Sequence, residues 1–120
     1  MKKILFVICP LIFIVALTSC EKDPVCENTY DDIKSIINTS CAYSGCHSGG
    51  TDAGSGIPDI AKNFTTYAGM KASLDNGLFA ARALNDRDMP PSFAPMDKPM
   101  ELTDAQIESL TCWKDNGYAE

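Results

Sequence analysis

The sequence has a single histidine, ten basic residues against 16 acidic ones, and no run of twenty apolar residues. One histidine, His47, excludes a His-rich metal site. A formal net charge of -6 leaves no basic stripe to neutralise phosphates, so nucleic acid is excluded as a partner. The longest apolar run, Ile4 to Leu17, is 14 residues, short of the roughly 20 that a spanning helix needs. No stretch alternates as a strand does and no internal repeat is present. At 120 residues the chain is long enough for one domain. What it does have is cysteine, six in all.

The N-terminus accounts for two of them. Met1-Lys2-Lys3 is a short basic region, and the apolar run behind it reads as the core of a secretory signal. Leu17-Thr18-Ser19-Cys20 then resembles a bacterial lipoprotein box. That resemblance implies cleavage before Cys20, lipid on its thiol, and anchoring to a bacterial membrane on the periplasmic or outer-membrane face. Cys9 leaves with the signal. The expected organisation is a signal peptide at 1–19, a lipid-anchored linker at 20–28 and one domain at 29–120. Without Lys2 and Lys3, eight basic residues face 16 acidic ones. An extracytoplasmic domain also works where disulfides persist.

Within the domain, apolar Tyr30, Ile33 and Ile37 mark one face of a first helix, with Thr29 as N-cap and Asp31 and Asp32 at its positive end. Ser48 to Gly56 holds four glycines in nine residues and reads as loop. Thr65 to Asp75 predicts a second helix striped by Tyr67, Met70 and Leu74, stopped at Asn76-Gly77. Leu78 to Leu84 fits a short helix or an extended segment. Asp88 to Pro99, with four prolines, is irregular. The last helix is the best signed: Thr103 with Gln106 forms a capping box, Leu102 with Ile107 a hydrophobic staple, and Gly117 lies just past its end. Its stripe runs through Ile107 and Leu110 to Trp113 or Lys114. The fold class is all-α with long loops. So small a core calls for a further source of stability.

The segment Cys41-Ala42-Tyr43-Ser44-Gly45-Cys46-His47 has the form C-x-x-x-x-C-H. It resembles the C-x-x-C-H haem-attachment signature of c-type cytochromes, in which two thiols form thioethers to haem and the adjacent His ligates the iron through Nε2. Four residues separate the cysteines here instead of two, a spacing that occurs as a variant in the family. A structural zinc site fits less well, because adjacent Cys46 and His47 do not easily chelate one ion. A plain Cys41–Cys46 disulfide is the other alternative.

Further segments are similar to the same family. Pro58, in Gly56-Ile57-Pro58-Asp59-Ile60, resembles the proline whose carbonyl accepts the proximal His Nδ1–H. Asp88-Met89-Pro90-Pro91 is similar to the Met-Pro-Pro segment that supplies a distal thioether, so the resemblance makes Met89 the second axial ligand, with Met96 and Met100 as rivals. Met70 sits on a helix stripe and reads as core. Arg82 and Arg87 are candidate holders of a haem carboxylate, and surface charges on the bland reading. In the family the first and last helices cross. Ile33 and Ile37 are then expected to meet Leu110 and Trp113, and Cys26 and Cys112 to pair as a disulfide.

Taken together, the resemblance implies a cytochrome c-like domain around one covalently bound haem c, held by Cys41, Cys46, His47 and Met89. Its function would be electron transfer between redox partner proteins rather than enzymatic turnover. Two rivals stand beside it. One is a haem enzyme or sensor with an open distal site, which an axial Met89 excludes. The other is a haem-free, disulfide-stapled surface binding module, which predicts a colourless protein.

Overall fold

Among the described residues, three α-helices, one 3₁₀ turn and one π-helical turn build the fold. The computed structural model describes residues 26–49 and 59–120. In chain order the elements are α1 (Tyr30–Ser40), the 3₁₀ turn (Asp59–Lys62), α2 (Tyr67–Asp75), the π-helical turn (Ala80–Asn85) and α3 (Asp104–Asp115). Among the described residues the sole β pairing is an isolated antiparallel bridge between Ser48 and Asn63. The domain is all-α, as expected. The proposed signal, the Cys20 lipid site and Pro58 lie outside the described residues.

Each helix starts where its local chemistry supplies a cap. Thr29 stands in extended conformation before α1, and its N–H and hydroxyl both donate to Asp32 Oδ2 at 2.8 Å. Of the two acidic residues in that first turn, Asp32 closes the cap by hydrogen bonding. Thr66 caps α2 by accepting from Gly69 N at 3.1 Å, so α2 begins at Tyr67, two residues later than the periodicity predicts. Thr103 and Gln106 make both halves of the capping box on α3, at 2.9 and 3.3 Å.

The segment after Gly77 resolves the choice between short helix and extended chain. It is helical, and it passes into a π-helical turn at Ala80. Asp86 N reaches back five residues to Ala81 O at 2.8 Å.

The core forms between α1 and α3. Ile33, Ile37, Leu110 and Trp113 are all fully buried in one cluster, as the helix stripes predict. Trp113 rather than Lys114 carries the last stripe position. Tyr30 packs at 5.8 Å from the Tyr67 ring and 6.1 Å from Trp113. Leu102 and Ile107, the staple pair, are buried in the same cluster. Cys26 and Cys112 are joined as a disulfide with Cα atoms 5.5 Å apart, tying the lead-in of α1 to α3. Asn28 Nδ2 reinforces that tie by donating to Ser109 O and Oγ at 3.1 Å each.

Candidate functional site

The chain leaving α1 folds back on itself before it reaches the Gly-rich loop. Cys41 N and Ala42 N both donate to Ile37 O at 2.8 Å, closing the helix end. Cys46 N then donates to Tyr43 O, and His47 N to Cys41 O, each at 3.0 Å. Gly45 permits this with φ of 86°, a left-handed conformation that costs a side-chain-bearing residue strain. The four residues between the cysteines are therefore taken up as a closed turn. Cys41, Cys46 and His47 end on the wall of one cavity.

That cavity has a volume of about 320 Å³. Tyr43 shares the motif wall, Phe64 lies beside His47, and Leu78, Phe79, Arg82 and Ala83 come from the stretch around the π-helical turn. Met89, Pro90, Pro91 and Phe93 enter from the proline-rich segment. Leu78 and Phe93 are exposed, Phe93 at 85%, so the cavity meets the surface along an apolar lip.

Of the methionines among the described residues, Met89 lines the cavity. Met70 is fully buried in the core of α2, and Met96 and Met100 are exposed. The two rival axial candidates thus point to solvent, while Met89 is half-buried and packed against the core.

The His47 ring is fixed by its neighbours. Its ring stacks on Phe64 with centroids 4.1 Å apart and planes 5° from parallel. Phe64 is itself fixed: its N donates to His47 O at 2.8 Å, its carbonyl accepts from the buried Tyr30 hydroxyl at 3.0 Å, and Phe79 meets it edge-on. Burial pulls the imidazole pKa below its ordinary value, while a hydrogen bond to the Lys62 backbone acts the other way. His47 Nδ1 is buried and has no hydrogen-bond partner among the described residues. Burial thus favours the neutral imidazole, the form that binds a metal. Pro58, the expected backbone acceptor for Nδ1–H, lies outside the described residues.

The two motif thiols are unbridged. Burial and the neighbouring Cys46 push the Cys41 thiol up to about 12. Tyr43 is likewise raised to about 12, by burial and by its hydrogen bond to Cys46. Lys98 Nζ lies 5.1 Å above the Tyr43 ring. Among the described residues, no three His, Cys, Asp or Glu side chains gather where they would hold a bare metal ion. The donor set is one imidazole, one thioether and two thiols around an apolar cavity.

Arg82 borders the cavity with its Nε turned to both Asp88 oxygens, and Arg87 pairs with Asp104 at 3.1 Å. Sequence reasoning passed over Phe64, which has no motif and reaches His47 only through tertiary packing. Comparison of the chain with protein-family models, curated proteins and solved structures gives no match.

Proposed function

We propose that this chain is a single-haem c-type cytochrome, tethered to a bacterial membrane by lipid on Cys20, that relays electrons between redox partner proteins. One observation carries the reading: Cys41, Cys46 and His47, from the turn after α1, and Met89, from the proline-rich segment, line one apolar cavity. On this reading the helical domain is cytochrome c-like. Cys41 and Cys46 would hold haem c as thioethers, and His47 and Met89 would take the two axial positions. When bound, the haem iron supplies one-electron chemistry, with a Met opposite a His raising its potential.

The protein residues supply orientation and exclusion of water. Phe64 stacks on His47 and fixes the plane of its ring. Tyr30, through its bond to the Phe64 carbonyl, couples that stack to the α1–α3 core. Phe79, Ala83 and Pro90 are buried and keep the walls dry. An excess of acidic over basic residues favours a partner with a basic patch and a salt-dependent encounter.

Protein matured in a bacterial periplasm tests the reading by pyridine-haemochrome spectroscopy and by haem retention on a denaturing gel. The expected result is one haem per chain with two thioethers, reduced to one in Cys41→Ala or Cys46→Ala. The oxidised protein should show a thioether-to-iron band that disappears in Met89→Ala and survives in Met96→Ala and Met100→Ala. A colourless protein overturns the reading in favour of a disulfide-stapled binding module. Covalent haem without the thioether band would instead indicate an open distal site, as in an enzyme or sensor. Cys20→Ser should move the protein from the membrane to the soluble fraction.

A further inference from the structure

Met89 lies in a stretch with neither helix nor strand, between the π-helical turn and α3. A ligand carried on irregular chain needs something else to fix it. Downstream, Pro90 and Pro91 stiffen the backbone, and Ala94 N donates to Pro91 O at 2.9 Å. Upstream, the hold comes from a single pair of residues. Arg82 Nε donates to both carboxylate oxygens of Asp88, at 2.7 and 2.8 Å. The Asp88 N–H donates back to Arg82 O at 3.0 Å. Side chains and backbones of the same two residues therefore close a ring immediately before Met89.

Two features make the ring geometrically specific. Arg87, between the π-helical turn and Asp88, takes φ of 53°, a left-handed conformation uncommon outside glycine. This reverses the chain so that Asp88 comes back over Arg82. Arg87 also pairs with Asp104 in the first turn of α3, and the π-helical turn packs against α3. The clamp is thus referenced to the same helix that builds the core.

We infer that Arg82 and Asp88 are positioning residues for Met89, holding its sulfur in the cavity and setting how readily an outside ligand displaces it. The inference rests on the haem reading above. The pair is half-exposed, at 49% and 47%, so charge attraction alone contributes little. Its effect comes from holding several hydrogen bonds in one geometry. Arg82→Met keeps the apolar stem along the cavity wall and removes the guanidinium. Asp88→Asn keeps the shape and weakens the acceptor.

Imidazole binding to the oxidised, haem-loaded protein reads the clamp directly. Each single variant should keep the thioether band and bind imidazole about three- to fivefold faster than the parent, in line with a half-exposed ion pair. The double variant should be no faster than the faster single one, because both changes break the same ring. Far-UV circular dichroism unchanged from the parent separates this from a folding defect. Variants that bind imidazole at the parental rate overturn the clamp while leaving the cytochrome reading intact, as do effects that multiply in the double variant. A parent that lacks covalent haem or the thioether band overturns the cytochrome reading itself, and the clamp with it.

Discussion

Replacing Cys26 and Cys112 together by serine removes the one disulfide among the described residues and adds no bulk. The bridge closes a loop of 86 residues in sequence, and the loop-closure entropy for a ring of that size corresponds to about 4.6 kcal/mol at 25 °C. The native state changes little, because other bonds hold the same ends together. Asn28 still donates to Ser109, and Tyr30 N to Ala119 O at 2.9 Å. The loss therefore falls on the unfolded ensemble, which expands when it is no longer tied. Domains of this size have roughly 5–15 kcal/mol of stability in all. At about 4–8 °C per kcal/mol, the unfolding midpoint should drop by roughly 20–35 °C. Urea unfolding, followed by the fluorescence of the buried Trp113, compares parent and double variant without reductant. The midpoint should fall, and m should rise because the freed chain exposes more surface. A double variant within about 1 kcal/mol of the parent refutes the reasoning. So does a full loss at unchanged m, which would place the effect in the native state.

Two further outcomes follow from the core and the caps. Trp113→Ala removes a fully buried ring and the donor that Ala119 O accepts at 2.8 Å; the expected loss is about 3–5 kcal/mol by circular dichroism in urea, and a loss under about 1 kcal/mol would contradict the packing. Asp32 is held below the ordinary carboxylate pKa by the Thr29 N–H and hydroxyl. A group with a lowered folded pKa stabilises above its unfolded value, near pH 4, and loses that contribution as pH falls through the folded value. The stability gap between parent and Asp32→Ala should be flat above about pH 5 and close below pH 4; a gap that widens in acid would reverse the assignment.

What could be read in the sequence was local. The ends of α3 were legible because Thr103, Gln106, Leu102 and Ile107 interact within five residues of one another. The stripe of α1 was legible because burial there follows helical periodicity, at Tyr30, Ile33 and Ile37. The π-helical turn was not, since the buried residues there, Phe79 just before it and Ala83 within it, stand four apart and fit several helical geometries equally well. Residue chemistry brought Cys41, Cys46, His47 and Met89 to notice, but it did not say which methionine shared their cavity. That answer came from the path of the chain through Arg87 and Asp88. Phe64 and the Arg82–Asp88 ring are wholly tertiary, made by residues whose types are unremarkable in sequence.

The carbonyl of Ala119 has a consequence for how the molecule is made. It accepts from Tyr30 N, at the start of α1, and from the Trp113 indole at the heart of the core. Tyr67 bonds the carbonyl next to it, that of Tyr118, at 3.2 Å. Helix α1 and its cysteine-bearing end are synthesised well before this anchor, which stands at residue 119. Until the chain has passed residue 119, the first turn of α1 and the indole N–H lack their acceptor. The start of α1 and the indole therefore reach their shared acceptor only once residue 119 has been made, so these contacts cannot form in order from the N-terminus onward.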